Sequence, residues 1–153
     1  MINMRLTKIG LAAALVMSAT AASADLASIS TKSGPIAAPK AGTGQVVFFR
    51  PGSMFGVALG CTVHEGAPQL ARLGSGKYYV IAAAPGKHEY STQGEATDRL
   101  TLDVEEGETY FVRCNIGMGV MSGRANLSPS DEASFAKKSQ GLKMWSGPKA
   151  GDN

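Results

Sequence analysis

The chain has two cysteines, Cys61 and Cys114, and their type and positions point to the formation of a disulfide bond. Cys61 alternates with Leu59 and Val63, and Cys114 alternates with Val112, so each cysteine shares an apolar strand face. Both thiols are expected to face an apolar interior, where neighbouring strands could bring them within bridging distance. We expect a disulfide, with two separate buried thiols as the alternative. The chain has no Cys-x-x-Cys motif, so a redox-active pair is not expected.

A glycine-rich segment, 117–124, carries two thioethers, Met118 and Met121, in Met-x-x-Met spacing. Together with Met54, and with the histidines elsewhere in the chain, these soft ligands could form a Cu(I) site. Methionine also fills gaps in protein cores, and the glycines could serve a β-bulge or a close approach of strands. We therefore prefer a structural loop and keep a periplasmic copper-binding protein as the alternative function.

Two dipeptides repeat the same order of residues, His64-Glu65 and His88-Glu89. Neither extends to the His-Glu-x-x-His motif of zinc hydrolases. Adjacent residues of a strand face opposite ways, so the members of each dipeptide cannot converge on one site. We expect ordinary strand side chains here and assign no catalytic residue. A hydrolase that uses His64 or His88 is a third and weaker hypothesis, because no nucleophile, base and acid can be assembled from motif spacing.

Three arginines, Arg50, Arg113 and Arg124, lie on or beside predicted strands. A guanidinium group could pair with a carboxylate such as that of Glu108 or Asp103, or cover apolar surface with its stem. It could also bind the carboxylate of a ligand, for example a sugar acid, in bidentate geometry. We expect structural pairing and keep these three arginines as candidate ligand-binding residues.

The composition is that of one ordinary globular domain: 153 residues, 44% hydrophobic and 18% charged. Two cations, Arg5 and Lys8, lie in a leader that carries no acid, so the net charge of +3 falls to +1 for the remainder. Nucleic-acid binding needs clustered lysines and arginines, and is therefore not expected.

The first residues have the order of an export signal: a short positive start, an apolar run at 9–17 and small residues at 18–24. The sequence Ala22-Ser23-Ala24 predicts cleavage between Ala24 and Asp25. An apolar helix of this length covers about 14 Å of a hydrocarbon layer about 30 Å thick, so no stable transmembrane segment is expected. The first cysteine is Cys61, so a lipid-modified N-terminus is not expected either. We predict a periplasmic protein that is not a lipoprotein.

Short strand signals separated by turn residues occupy most of the mature chain. The predicted strands are 45–50, 59–65, 70–73, 77–83, 87–92, 100–104 and 109–116. They predict a mainly all-β domain over 45–145, a small antiparallel β-sandwich of about seven strands. The segment 25–44 is predicted to be a flexible linker, and 146–153 a disordered tail.

One short C-terminal α-helix is expected after the strands. Ser128 is a favourable N-cap, Pro129 suits the first helical position, and Asp131 and Glu132 suit the positive end of the helix dipole. Gly141 is expected to end the helix.

Several of these segments together resemble the DUF2846 family of bacterial exported proteins. The segments that carry the resemblance are 47–52, 73–79, 85–88, 104–112, Gly117 with Gly123-Arg124, and 131–133, and they span 44–140. The resemblance implies a small β-sandwich, similar to PEGA-type and transthyretin-like modules, in an envelope protein with no assigned catalytic residue.

These observations predict a non-catalytic envelope module that binds or scaffolds another envelope protein or a cell-wall glycan, without a cofactor. The loops at 50–57 and 117–124 are the first places where we expect a binding surface.

Overall fold

The computed structural model describes residues 29–94, 96–120 and 123–147. The strands in these ranges are β1 (Ser30–Thr31), β2 (Gly34–Pro35), β3 (Gly44–Arg50), β4 (Cys61–Glu65), β5 (Gln69–Leu73), β6 (Lys77–Ala83), β7 (Gly86–Thr92), β8 (Asp98–Val104), β9 (Thr109–Gly117), β10 (Arg124–Ser130) and β11 (Lys143–Met144). The helix is α1 (Glu132–Ser139).

Two sheets pack face to face. One has five strands in the order β10-β9-β3-β6-β11, and the other has four in the order β5-β4-β7-β8. The strands β1 and β2 form a separate short hairpin. The predicted mainly-β sandwich with one short C-terminal helix is confirmed.

Two strand pairs of the five-stranded sheet, β3–β9 and β6–β11, are parallel, whereas the prediction considered antiparallel pairing alone. A parallel pair needs a long crossover connection, which is usually a helix. Here the chain between β3 and β9 crosses to the four-stranded sheet and back twice, through β4–β5 and then through β7–β8, and β6 lies between the two crossings. Strands therefore take the place of the crossover helix.

Strand β3 lies at the centre of the five-stranded sheet, and all of its residues are buried. Val46 and Phe48 pack in the core between the two sheets, whereas Val47 and Phe49 pack in a second core on the other face. A strand covered on both faces needs apolar residues at successive positions, which explains the unbroken run Val-Val-Phe-Phe.

The inter-sheet core contains an edge-to-face pair of Phe48 and Tyr90, with ring centroids 5.0 Å apart. The predicted disulfide crosses this core: Cys61 of β4 is bonded to Cys114 of β9, with their Cα atoms 6.5 Å apart. The prediction of a Cys61–Cys114 bridge is therefore confirmed, and the bond joins one sheet to the other.

The second core holds α1 against the five-stranded sheet through one aromatic side chain. The ring of Phe135 lies 5.1 Å from those of Phe49 and Phe111, and 6.1 Å from that of Tyr78. Two of these pairs are edge-to-face and the pair with Phe111 is tilted. Edge-to-face aromatic pairs add to the free energy gained by burial, so Phe135 is the principal anchor of the helix.

The predicted start of the helix at Ser128 and Pro129 is wrong, because both residues belong to β10. Asp131 is the N-cap, and its carboxylate accepts a hydrogen bond of 2.7 Å from the Ser134 N–H. Pro129 has no N–H to donate, and β10 tolerates it because this strand lies at the edge of its sheet.

Part of the segment predicted to be a flexible linker is folded. The β1–β2 hairpin lies within it, and Ile29 and Ile36 on either side of the hairpin are buried in the second core. The Thr31 hydroxyl lies 3.0 Å from the hydroxyl of Tyr78, which joins the hairpin to the sheet. The flexible-linker prediction therefore does not hold for residues 29–36.

The predicted cleavage site, Ala24 and Asp25, lies outside the described residues, and so does the predicted tail beyond Gly147. Across 29–94, 96–120 and 123–147, no helix combines the length and the apolar composition needed to span a bilayer.

Candidate functional site

Six large apolar side chains are exposed on two loops, one between β3 and β4 and the other between β9 and β10. Their exposed fractions run from 37% at Leu59 to 90% at Met54. We call them the apolar loop patch: Met54, Phe55, Val57, Leu59, Met118 and Val120. Elsewhere in the described ranges, Met144 is the one other large hydrophobic residue with comparable exposure.

The two loops meet and enclose a shallow groove of about 330 Å³. The groove is lined by Phe55, Gly56, Leu59, Met118, Gly119, Val120 and Gly123. The patch is therefore one surface contributed by both loops, at the end of the sandwich where β3 ends and β4 begins.

Two glycines allow the loops to approach this closely. A Cβ atom at Gly123 would lie 2.5 Å from Leu59 Cδ1 and 2.7 Å from Ile116 Cγ2. Gly56 has φ +61°, and its Cβ atom would lie 3.0 Å from Ile116 Cγ2. A side chain at either position would have to displace Leu59 or Ile116. Gly123 thus serves the close approach that was expected for the glycines of 117–124, and Gly56 serves it from the other loop.

Arg50, the last residue of β3, organises the first loop from beneath. Its guanidinium donates hydrogen bonds to the carbonyls of Gly56 at 2.6 Å, of Leu59, and of Leu73 at 3.3 Å. The residue is 2% exposed, and burial lowers the pKa of its guanidinium. The partners are thus backbone carbonyls, and not the carboxylate expected from the sequence.

The other two candidate arginines, Arg113 and Arg124, are exposed. Within the described residues, neither forms an ion pair, so the expected pairing with Glu108 or Asp103 is not found there. Arg113 and Lys138 line a small pocket of about 230 Å³ beside the patch. Arg124 begins β10, directly after the second loop.

A larger pocket of about 420 Å³ lies on another side of the patch and shares Val57 and Leu59 with it. Arg72, Lys77 and Trp145 also line this pocket. The described linings of both flanking pockets contain no carboxylate. Cations therefore border the apolar loop patch on two sides, and we call them the cationic rim: Arg72, Lys77, Arg113 and Lys138.

The two histidine dipeptides are connected in a way that sequence reasoning missed. His88 Nδ1 lies 2.5 Å from Glu65 Oε1, so a residue of one dipeptide pairs with a residue of the other. Glu65 is paired with Tyr90 across β4 and β7, and His88 lies two residues from Tyr90, so all three share a face. His88 Nε2 also lies 2.7 Å from the Ala84 carbonyl oxygen.

Both ring nitrogens of His88 therefore face acceptors, an arrangement that favours the imidazolium with two N–H donors. The hydrogen bond to Glu65 is the largest cause of a raised His88 pKa, and partial burial opposes it. An imidazole that is protonated and donates a hydrogen bond from each nitrogen has no free lone pair, so it is a poor metal ligand and a poor general base. The other histidine, His64, lies 3.4 Å from the Ala67 carbonyl oxygen.

The His88–Glu65 pair predicts a pH dependence of stability. Because the folded-state pKa of His88 is raised, its contribution is fully present below the unfolded-state pKa of about 6.5 and is lost as the pH rises through the folded value. The side chains are 16% and 36% exposed, so we expect a contribution below about 1 kcal/mol. NMR titration of the His88 ring, with unfolding measured across this pH range, checks the prediction.

Glu65→Gln should remove most of the increase in the His88 pKa, together with the pH dependence of stability that follows from it. Glu89→Gln is the matched control, because Glu89 pairs with Arg99 at the surface. An unchanged His88 titration in Glu65→Gln would contradict the assignment.

The predicted thioether site is described only in part. Met118 and Met54 are exposed in the apolar loop patch, whereas Met121 lies outside the described residues. The histidines do not join them: β4 leads away from the first loop, and Glu65, the partner of His88, is its last residue. The structure thus brings Met54 and Met118 to one end of the sandwich and places His88 towards the other.

Comparison with protein families gives one match. The family described as "Protein of unknown function (DUF2846)" matches residues 40–127, which is more than half of the chain and includes both loops of the patch. A search of curated proteins found no match.

Proposed function

The chain belongs to the DUF2846 family, and we propose that it acts as a non-catalytic binding module of the cell envelope, with the apolar loop patch as its binding surface. Export through a cleaved leader is part of this proposal. A disulfide suits the oxidising compartments that exported proteins enter, and so supports it.

One observation carries the proposal: six large apolar side chains are exposed together on two adjoining loops. Removing apolar surface from water is favourable by about 25 cal/mol per Å², so leaving such side chains exposed gives up stability that burial would provide. Contiguous exposed apolar surface of this kind marks interaction sites in folded proteins.

The way the loops are built also supports a binding role. Cys61 directly follows the first loop and Cys114 lies just before the second, so the disulfide joins the strands that carry both loops. Arg50 fixes three carbonyls under the first loop and beside it. A surface held in place before binding loses less conformational entropy when a partner is bound.

The chemistry of the patch bears on the class of partner. A cell-wall glycan is recognised through many hydrogen bonds, whereas the patch offers mainly thioether, aliphatic and phenyl groups. We therefore favour an apolar or amphipathic envelope surface over a glycan. Both ring nitrogens of His88 are hydrogen-bonded, so neither is free to accept a proton from a substrate. This supports a non-catalytic role.

Copper binding is the second candidate, and the observation that favours it is the exposure of Met54 and Met118 on adjoining loops. Thioethers bind Cu(I) in periplasmic proteins. One copper ion per chain in the purified protein, lost in the variant Met118→Ala with Met121→Ala, would favour this candidate over a binding surface.

Site-directed photo-cross-linking in the producing cells tests the binding surface. The photoreactive residue p-benzoyl-phenylalanine replaces Phe55 in the patch or, as a control, Lys87, an exposed residue of β7. We expect a light-dependent adduct from position 55 and none from position 87. Met118→Ser should lower the yield of the adduct. Met144→Ser makes the same substitution outside the patch and should leave the yield unchanged.

The proposal fails if position 55 gives no adduct, or if adducts form equally from both positions. Mass spectrometry of the adduct at position 55 shows whether the partner is a peptide or a lipid, because the photoreactive group inserts into C–H bonds of either.

A further inference from the structure

We propose that the partner of the apolar loop patch is an anionic lipid surface, which the patch enters while the cationic rim pairs with lipid phosphates. This inference rests on the proposed function and deepens it by naming the partner. Three features of the described residues carry it: the shape of the patch, the distribution of charge around it, and the position of Trp145.

The patch protrudes instead of forming a flat surface. The side chains of Met54, Val120 and Met118 are 90%, 87% and 83% exposed, which are values for loop tips. Protein–protein interfaces are enriched in aromatic residues, methionine and arginine at a well-packed centre, and are depleted in lysine. Here the apolar side chains protrude, and two of the four cations around them are lysines. Both features correspond better to a surface that enters the headgroup boundary of a bilayer.

Charge is unevenly distributed along the sandwich. The cationic rim borders the patch, and the described linings of the two flanking pockets contain no carboxylate. By contrast, Glu105, Glu106 and Glu108 lie at the turn between β8 and β9, where the Gly42 N–H donates to Glu106 Oε1 at 2.9 Å.

This acidic turn lies at the start of β3, because the Gln45 N–H donates to the Glu108 carbonyl oxygen at 2.9 Å, whereas Arg50 ends the same strand beneath the patch. A strand of seven residues separates the two ends by about 20 Å. The resulting field would orient the loop end towards an anionic surface, although the net charge of the chain is small.

Arg72 is placed to reach such a surface. Its side chain lies against the backbone of Gly60, where a Cβ atom would be 2.5 Å from Arg72 Nε. Neither Arg72 nor Lys77 forms an ion pair within the described residues, so both charges are available to phosphates. Each cation near an anionic membrane strengthens binding roughly fivefold.

Trp145, the single tryptophan of the chain, lines the same pocket as Val57, Leu59 and these two cations. It is partly exposed, and its ring packs edge-on against Tyr79 with centroids 5.4 Å apart. Tryptophan concentrates at membrane–water boundaries. The fluorescence emission of Trp145 therefore shows whether this end of the molecule enters lipid.

Vesicle binding of the purified, disulfide-bonded protein tests the inference. We expect co-sedimentation with vesicles of phosphatidylcholine and phosphatidylglycerol at low salt, with a shift of Trp145 emission to shorter wavelength. Binding to pure phosphatidylcholine should be much weaker, and salt should weaken binding to the mixed vesicles. Arg72→Gln with Lys77→Gln should reduce the affinity by roughly twenty-five-fold, whereas Lys87→Gln should not change it by more than about twofold.

Met54→Ser with Phe55→Ser should abolish the emission shift, and Met144→Ser should retain it. The lipid inference is overturned if mixed vesicles are not bound, or if binding is the same in the patch and rim variants. A peptide adduct at position 55 without vesicle binding would replace the lipid by a protein partner and keep the binding surface. If position 55 gives no adduct, the proposed function fails, and the inference that rests on it fails as well.

Discussion

Replacing Cys61 and Cys114 together by alanine is expected to lower the free energy of unfolding by about 4 kcal/mol. The bridge spans 53 residues of sequence, and closing a loop of this length restricts the unfolded chain by about that free energy in the chain-entropy model. Denaturant unfolding of the oxidised protein and of the double variant, under identical conditions, gives the difference directly.

Reduction of the unmodified protein is the matched control, since it opens the same loop without a change of sequence. Both samples should lose similar stability, and the reduced protein should regain it when it is reoxidised. A double variant within about 1 kcal/mol of the oxidised protein would show that the bridge contributes little, and that inter-sheet packing suffices.

Replacing Arg50 by methionine is expected to lower the free energy of unfolding by about 3 kcal/mol, the second largest effect that we predict. Hydrogen bonds from a charged donor contribute about 1.5–3 kcal/mol each, and the carbonyls of Gly56, Leu59 and Leu73 would lose theirs. Some of these carbonyls would regain water as the loop opens, so the sum is not realised in full. Denaturant unfolding measures the loss, and hydrogen exchange in the loop 51–60 should become faster.

Arg113→Met is the control for this variant, because Arg113 lies on the same sheet but is exposed. Its effect should stay within about 0.5 kcal/mol. Arg50→Lys should be intermediate, since one ammonium group cannot reach three carbonyls in the fixed geometry of a guanidinium. Unchanged exchange in the loop 51–60 of Arg50→Met would contradict the role that we assign to this arginine.

The strand pattern was predictable where composition and turn residues agree. The apolar run at β3 and the turns around β6 each have one interpretation, and β6 has the predicted bounds. β10 was missed because Ser128 and Pro129 are typical both of a helix start and of an edge strand. Asp131, three residues later, is an equally good cap, and only the pairing of β10 with β9 decides between them.

The candidate site was predictable in its parts and not in its assembly. The loops at 50–57 and 117–124 were predicted to form a binding surface. The disulfide was predicted because both cysteines lie on apolar strand faces. The carbonyl partners of Arg50 depend on the conformation of the loop, which sequence spacing does not determine. The contact between His88 and Glu65 depends on the register of β7 against β4, which sets the cross-strand neighbours.

The distribution of charge over the surface could not be predicted from the sequence either. A net charge of +3 gives little indication of a partner, because it sums over the whole chain. Only the fold shows that Arg72 and Lys77 line a pocket beside the patch, and that Glu105 and Glu106 lie at the other end of β3. It is the separation of charge that bears on function.

A cross-linking profile around the molecule shows which end of the sandwich binds the partner. The photoreactive residue is placed, one position at a time, at 55, 57 and 118 in the apolar loop patch, and at 87, 103 and 106 towards the opposite end. We predict adducts of the same partner from the three patch positions and none from the other three. Adducts mainly from 87, 103 and 106 would contradict the account, because the binding surface would then lie at the acidic end of the sandwich.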